Sequence, residues 1–231
     1  MSAPRVRNPA AGAARGRGRF IVLEGLDGAG TTTQTERLAA ALRAEGHAVL
    51  TSREPSDGPI GTLIRQALTG RLVVPGTQAP LAPETLALLF AADRTDHLQA
   101  RVLPALARGE VVLCDRYVLS SLAYQGLNLP MDWVETLNGC AIHPDLTLFV
   151  EVTPAVAARR RAGRGGPAEL FEADEAQRRI AKSYLAAIRR REGRERIVRI
   201  DGGQPPEAVT AAALAEVRKV LARRAPRPRV G

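Results

Sequence analysis

"FIVLEGLDGAGTTTQTERL", residues 20–38, decides the fold of this chain, because a hydrophobic run breaks into glycines and then resumes as a helical pattern. The spacing is that of the phosphate-binding pattern G-x-x-x-x-G-K-[ST], which joins a strand to a helix. Gly25, Gly30 and Thr32 fit the pattern, whereas Thr31 stands in the lysine position. The stretch predicts a loop that binds a nucleoside triphosphate through Gly25, Leu26, Asp27, Gly28, Ala29, Gly30, Thr31, Thr32 and Thr33.

This loop has the chemistry that phosphate groups require. Its glycines allow successive backbone N–H groups to point at a ligand, and the positive end of the following helix adds to that cradle. Thr32 holds the hydroxyl position that binds Mg²⁺ in such loops. The alternative is a tight strand-to-helix turn without a ligand, and it is disfavoured because strand, glycines, hydroxyl and helix all agree with the motif.

The missing lysine has a mechanistic consequence. Lysine supplies a positive charge to the β- and γ-phosphates, and the neutral hydroxyl of Thr31 cannot replace it. Removing one preorganised electrostatic group from a catalytic site costs roughly 10²–10³ in rate. An active enzyme therefore needs a cation from elsewhere in the chain.

A candidate source of that cation is "AARRRAGRGGP", residues 157–167, in which a helical pattern ends in a glycine-rich loop. We predict a flexible cationic lid over residues 159–173, with Arg160 and Arg164 as its catalytic side chains. The alternative is a solvated basic helix end, whose arginines complement the helix dipole.

Short apolar runs alternate with longer helical patterns along the chain. The apolar runs predict five buried strands at residues 20–24, 48–51, 110–114, 146–152 and 197–200. The predicted helices cover residues 32–45, 61–69, 84–108 with an interruption near Pro104, 120–125, 132–140, 154–161, 175–191 and 206–222. Strands separated by helices predict a three-layer α/β fold, in which helices cover both faces of a five-stranded parallel sheet.

Polar sequence follows most of the predicted strands. "GLDGAGTTTQ" follows the first strand, "SREPSDGPIG" the second and "DRYVLSSLAYQG" the third, while "RRRAGRGGPAELFE" follows the fourth after a short helix. Ligands of open parallel sheets bind outside the carboxyl ends of the strands. We therefore expect these segments to form one site at that edge.

The formal net charge of +9 belongs to the two ends of the chain. Five arginines within residues 1–19 and four within residues 223–231 account for it, and neither segment contains an acidic residue. Both segments lack apolar periodicity, which predicts disordered tails flanking one domain at residues 20–222. Such tails suggest at most weak attraction to nucleic acid. No stretch has the length of a membrane span or the pattern of a secretory signal, so we expect a cytoplasmic protein.

With these segments in order, the chain resembles the thymidylate kinases, P-loop enzymes that transfer the γ-phosphoryl group of ATP to dTMP. The resemblance covers residues 19–222 and rests on "EGLDGAG", "REPSDGPIG", "LLFAADRTDH", "DRYVLSSLAYQG" and "HPDLTLFVEV". It implies the P-loop kinase fold and a transferase of nucleotide biosynthesis. It also implies ATP as co-substrate, Mg²⁺ as cofactor and a homodimer.

The resemblance also implies where dTMP binds. Phe90 would stack on the thymine, and Arg94, four residues later on the same helix face, would hydrogen-bond its edge. Arg53 and Arg116 would clamp the phosphate through charge-assisted hydrogen bonds. The alternative is that each of these two arginines pairs with the acidic residue beside it in the sequence. The full predicted dTMP site is Arg53, Phe90, Arg94, Arg116, Ser121, Tyr124 and Gln125.

Two acidic residues complete the implied site. Asp27 lies inside the glycine loop, where the family carries an acid that orients the phosphate-binding arginine or the sugar hydroxyl. Asp115 follows the third predicted strand and would support Mg²⁺ together with Thr32. The implied catalytic residues are Asp27, Arg116, Arg160 and Arg164.

The hypothesis is a Mg²⁺-dependent dTMP kinase in which lid arginines replace the missing lysine. Three alternatives stay open at this point. One is a kinase for another nucleoside monophosphate, and a second, motivated by Thr31, is a nucleotide-binding relative with weak or no kinase activity. The third, motivated by the basic tails, is an ATPase that depends on nucleic acid.

Overall fold

The structure is a computed structural model that describes residues 17–163 and 174–222. The predictions for residues 1–16, 164–173 and 223–231 lie outside this range. Five strands form one parallel sheet in the order β2-β3-β1-β4-β5, which confirms the predicted fold class. The strands are β1 (Arg19–Gly25), β2 (Val49–Arg53), β3 (Val111–Asp115), β4 (Leu146–Glu151) and β5 (Ile197–Asp201).

Helices occupy the segments between the strands. They are α1 (Thr31–Ala44), α2 (Pro59–Leu68), α3 (Pro83–His97), α4 (Leu103–Ala107), α5 (Val118–Tyr124), α6 (Met131–Leu137), α7 (Pro154–Ala162), α8 (Asp174–Arg191) and α9 (Pro206–Leu221). A π-helical turn joins α3 to α4, and a 3₁₀ turn follows α5. Among the described residues, no helix is both long and apolar enough to cross a membrane.

Both faces of the sheet are buried under helices. Phe20 and Val22 of β1 face a core that includes Leu122 of α5 and Tyr184 of α8. Ile21 and Leu23, the alternating residues, belong to a second core with residues of α1 and α9. Because successive side chains of a strand point to opposite faces, one apolar strand contributes to both cores.

The prediction of five buried strands is right for the central three and wrong for the edges. Every residue of β3 is buried, and β1 and β4 are nearly as enclosed. By contrast, β2 is half-buried except for the exposed Arg53, and β5 combines half-buried, exposed and buried residues. Each of these strands has a neighbouring strand on one side only.

Tertiary contacts move several helix boundaries from their predicted positions. Helix α5 begins at Val118, two residues before its predicted start, and the buried Glu24 accepts hydrogen bonds from the N–H groups of Tyr117 and Ser120 at this end. The interruption expected near Pro104 lies just upstream of it, as the π-helical turn Leu98–Val102. Helix α6 ends at Leu137, before its predicted end at 140, and the next side chain, of Asn138, turns back to the carbonyl of Val134.

Candidate active site

A cleft of about 540 Å³, part of it open to solvent, lies at the carboxyl edge of the sheet, where the sequence predicted a site. Six of the seven residues predicted to bind dTMP line this cleft, namely Phe90, Arg94, Arg116, Ser121, Tyr124 and Gln125. Asp27, Glu54, Pro55, Leu68, Tyr117 and Ser120 line it as well.

Arg116 and Asp27 form an ion pair in the lining of the cleft. Arg116 follows β3, and its Nη2 lies 2.6 Å from Oδ1 of Asp27 in the glycine loop. Its Nη1 donates to the carbonyl of Gly25 and to the hydroxyl of Tyr184, at 3.1 and 3.2 Å. The backbone φ of Arg116 is 73°, a conformation that L-residues other than glycine rarely adopt. The alternative pairing of Arg116 with the adjacent Asp115 is therefore wrong, because Arg116 pairs with Asp27 in the glycine loop after β1.

The second carboxylate oxygen of Asp27 is held from two helices. The hydroxyl of Tyr124 on α5 and the amide Nε2 of Gln177 on α8 both donate to Oδ2 at 2.9 Å. Burial raises the pKa of Tyr124, so its hydroxyl stays protonated and acts as a donor. Gln177 is not among the predicted site residues.

Arg94 is almost fully buried in the wall of the cleft. Its Nε lies 2.9 Å from Oε2 of Glu54, and its Nη2 donates to the hydroxyl of Ser121 at 3.0 Å. The side-chain oxygen of Asn138 and the carbonyl of Tyr117 accept further hydrogen bonds. The structure thus fixes the guanidinium with four partners, of which only Ser121 was a predicted site residue.

Gln125 contributes an unusual polar atom to the cleft. The residue is 6% exposed, and its Oε1 is buried without a hydrogen-bond partner among the described residues. Buried acceptors nearly always have a partner, so an exception in the lining of a cleft calls for an explanation. The atom is therefore a candidate acceptor for a donor on a bound molecule.

Arg53, the seventh predicted residue, lies outside the cleft lining. Its side chain is 59% exposed, and its Nη2 lies 2.7 Å from Oδ1 of Asp57. The hydrogen bond from Arg53 lowers the pKa of Asp57. The alternative pairing with the adjacent Glu54 is wrong, because Glu54 binds Arg94 and His97 instead.

The glycine loop lies between β1 and α1. Gly28 and Gly30 have φ values of 92° and 94°, which favour glycine. A Cβ atom on Gly28 would lie 2.4 Å from the carbonyl oxygen of Ala157, so α7 packs directly against the loop. Helix α1 begins at Thr31. The loop therefore presents a helix N-terminus, as an anion site requires.

Two arginines of α7 reach the backbone of the glycine loop. Arg160 donates from Nη1 to the carbonyl of Ala29 at 3.2 Å and from Nη2 to that of Gly202 at 2.9 Å. Arg161 donates to the carbonyl of Asp27 at 2.7 Å. Arg160 was a predicted catalytic residue, whereas Arg161 was not singled out. Arg164, the other predicted one, lies outside the described residues.

Thr32 and Asp115 meet at the start of α1. The hydroxyl of Thr32 donates to Oδ2 of Asp115 at 2.5 Å. The other oxygen, Oδ1, is buried without a hydrogen-bond partner among the described residues. Mg²⁺ prefers oxygen ligands and keeps several waters, so a threonine hydroxyl beside a half-satisfied carboxylate fits this ion.

Glu24 is a buried acid that sequence reasoning missed. Its carboxylate accepts hydrogen bonds from the hydroxyl of Ser120 at 2.6 Å and of Tyr184 at 3.1 Å, besides the two N–H groups at the start of α5. Burial raises its pKa, although Ser120 and Arg116 oppose that shift. The residue ends an apolar run in the sequence, where a site role has no local signal.

Comparisons with known proteins point to one family. The family model for thymidylate kinase matches residues 23–213. A thymidylate kinase of Thermomicrobium roseum is 43% identical over 211 residues, which cover 88% of this chain and 96% of the relative. One of Gluconobacter oxydans is 42% identical over 214 residues, covering 89% and 97%. A probable thymidylate kinase of Pyrococcus horikoshii is 42% identical over 170 residues, covering 73% and 82%.

Proposed function

The chain belongs to the thymidylate kinase family, and we propose that the cleft at the carboxyl edge of the sheet is where dTMP accepts its phosphoryl group. The enzyme transfers the γ-phosphoryl group of ATP to dTMP, which gives dTDP. The observation that carries this placement is that Phe90, Arg94 and Arg116 line a single cleft beside the glycine loop.

The upper part of the cleft suits a thymine base. Phe90 offers an aromatic ring for stacking. The buried guanidinium of Arg94 has four of its five N–H groups bound by the protein, so the second N–H of Nη1 would donate to a carbonyl oxygen of the base. The unpaired Oε1 of Gln125 would accept a hydrogen bond from the imide N–H of thymine. Tyr124 and Ser121 would lie along the deoxyribose and the base, with the Tyr124 ring leaving no space for a 2′-hydroxyl.

The floor of the cleft suits the phosphate of dTMP. Arg116 is fixed by Asp27 and by the Gly25 carbonyl, so its guanidinium is already oriented when the substrate arrives. Arg53 would swing from Asp57 to the phosphate dianion as the second arm of the clamp. A guanidinium binds a phosphate through paired charge-assisted hydrogen bonds, which fixes orientation as well as adding affinity.

The glycine loop would bind the phosphates of ATP. Its N–H groups and the N-terminus of α1 supply partial positive charge, while Thr31 supplies none of the charge of the usual lysine. Arg160 and Arg161 lie against this loop, and we assign the role of the missing lysine to these two arginines of α7 and to Arg164 of the predicted lid.

Thr32 and Asp115 would hold Mg²⁺, the hydroxyl directly and the carboxylate directly or through water. When bound, the ion would neutralise charge on the triphosphate. The side chains of the protein then act by placement: Arg116 and Arg53 align the acceptor phosphate, and the α7 arginines stabilise the charge on the transferring group. Phosphoryl transfer depends on positioning and electrostatics, with little covalent chemistry for the protein to perform.

We further propose that the enzyme works in the cytoplasm as a homodimer. Leu63 of α2 and Leu88 of α3 are 37% and 51% exposed, and these helices pack side by side. The exposed surface of these two packed helices is a candidate face for contact with a second copy of the chain. Sedimentation of the wild type and of Leu88→Glu would test this, because a dimer formed through the face should dissociate in the variant.

Steady-state formation of ADP tests the proposed function. The purified protein is given Mg-ATP with dTMP, dUMP, UMP, CMP or AMP in turn, in parallel with Thr31→Lys. We expect rapid turnover that is selective for dTMP in the wild type. Selectivity for another nucleotide would contradict the assignment of the base site.

The same assay addresses the alternative raised by Thr31. A relative that only binds nucleotides would bind dTMP without turnover, and Thr31→Lys would restore activity. Membership of a kinase family and the two arginines beside the glycine loop disfavour that outcome.

A further inference from the structure

Helix α8 carries a buried glutamine on the side that faces the active site. Gln177 is 0% exposed, and Tyr184, seven residues later on the same helix face, is also fully buried. The residues between them on that face include the apolar Ile180. Gln177 is thus a polar group placed in an otherwise apolar stripe, where burying an amide is unfavourable unless it forms hydrogen bonds.

The amide of Gln177 binds a group that belongs to the reaction centre. Its Nε2 donates to Oδ2 of Asp27 at 2.9 Å, and the other oxygen of Asp27 binds Arg116 at 2.6 Å. Tyr184 contacts the same pair from the other side, because its hydroxyl accepts from Nη1 of Arg116 at 3.2 Å. Helix α8 therefore touches both members of the Asp27–Arg116 pair.

This arrangement restricts the orientation of Asp27. A carboxylate with one donor could rotate about its terminal torsion, whereas the donors from Gln177, Tyr124 and Arg116 fix both oxygens. Fixing Asp27 in turn fixes Arg116, whose Nη2 depends on Oδ1. Hydrogen bonds to charged groups are the stronger ones in proteins, so the loss of one donor should be measurable.

We infer that Gln177 is a positioning residue for phosphoryl transfer, acting through Asp27 to orient the guanidinium of Arg116 toward the phosphate of dTMP. The inference rests on the proposed role of Arg116 as a phosphate clamp. It also gives α8 a function besides packing. The helix that follows the predicted lid segment contacts the acceptor site through Gln177 as well as through Tyr184.

Gln177→Leu tests the inference, with Gln34→Leu as the matched control. Gln34 is also a buried glutamine whose amide forms hydrogen bonds, but these join α1 to α9 at Pro206 and Thr210. We expect Gln177→Leu to reduce kcat/KM for dTMP by about 10- to 100-fold. We expect the KM for ATP to be unchanged, and Gln34→Leu to leave kcat/KM within about two-fold. Gln177→Glu, which keeps the size but replaces the donor by a negative charge, should be at least as impaired as Gln177→Leu.

Binding of thymidine, which lacks the phosphate, shows whether Gln177→Leu disturbs only the phosphate-binding arginine or the whole site. If Gln177 acts through Arg116, Gln177→Leu weakens the binding of dTMP and leaves that of thymidine unchanged. Equal loss for both ligands, or kinetics equal to those of Gln34→Leu, would overturn the inference. Arg116→Gln is assayed beside it. If that variant binds dTMP normally, the proposed phosphate clamp itself is wrong. This result separates failure of the proposed role of Arg116 from failure of the inference about Gln177.

Discussion

Nη2 of Arg53 lies 2.7 Å from Oδ1 of Asp57, so the one predicted dTMP ligand outside the cleft already has a carboxylate partner. A phosphate that recruits Arg53 must compete with this carboxylate. Asp57→Asn removes the competing charge, and we expect the KM for dTMP to fall. Exposed ion pairs contribute about 0.2–1 kcal/mol, which limits the decrease to about five-fold.

Arg53→Gln supplies the control for this prediction. It should raise the KM for dTMP, and in its background Asp57→Asn should have no further effect, because the two residues act as a pair. An increased KM in Asp57→Asn alone would instead mean that Asp57 orients Arg53 toward the substrate.

The second prediction concerns the turnover of variants that lack Arg160 or Arg161 of α7. Arg160→Ala and Arg161→Ala each remove a guanidinium that contacts the glycine loop, and we expect kcat to fall by roughly 10²–10³ if that residue replaces the lysine. Arg164→Ala should likewise lower turnover far more than dTMP binding. Single-turnover measurements with saturating ATP would report the loss directly.

Arg159→Ala is the matched control, since Arg159 is an exposed arginine of the same helix. It should change kcat by less than about two-fold. Adding Thr31→Lys to the impaired variant should recover part of the rate. A double variant as slow as its parent would argue that the α7 arginines serve another purpose.

The sequence predicted the fold well because its signals are local. The glycine spacing and the apolar runs each act over a few residues. The predicted helix at 154–161 also has a local start, because the hydroxyl of Thr153 accepts a hydrogen bond from the N–H of Val156. The edge positions of β2 and β5 could not be predicted, because strand order depends on pairings between distant segments.

The site was predicted less completely than the fold, because many of its contacts join residues that are far apart in the sequence. Phe90 and Arg94 could be located from one motif on one helix. By contrast, the contacts of Glu24 and Gln177 join residues that are about 90 to 160 positions apart in the chain. A buried glutamate at the end of an apolar strand and a glutamine inside a helical stripe were the available signals, and neither indicates a partner without the fold.

The dependence of activity on Mg²⁺ tests the assignment of Thr32 and Asp115 as the residues that hold the ion. Thr32→Val removes the hydroxyl that contacts Asp115, and Asp115→Asn removes the carboxylate charge. We expect the Mg²⁺ concentration for half-maximal activity to rise by about 10- to 100-fold in either variant. Thr35→Val is the control, since the hydroxyl of Thr35 donates to the Thr31 carbonyl on the same helix and its loss should leave the Mg²⁺ titration unchanged.

The raised pKa of Glu24 predicts how stability depends on pH. Burial favours the protonated acid in the folded state, so the folded pKa lies above the ordinary value of 4.5. The contribution of this group to the free energy of unfolding is then fully present below that value and is lost as the pH rises through the folded pKa. Glu24→Gln is neutral at every pH and lacks this loss.

Urea unfolding of the wild type and Glu24→Gln at several pH values between about 4.5 and 8 provides the measurement. The difference in free energy of unfolding should shift steadily in favour of the variant as the pH rises. Glu45→Gln is the contrasting case, because a hydrogen bond from Arg218 lowers the pKa of Glu45. Its difference from the wild type should stay constant across this range and should change only below pH about 4.5, where the contribution of Glu45 is lost as the pH falls. A difference between wild type and Glu24→Gln that does not vary with pH would mean that the donors around Glu24 fully compensate its burial.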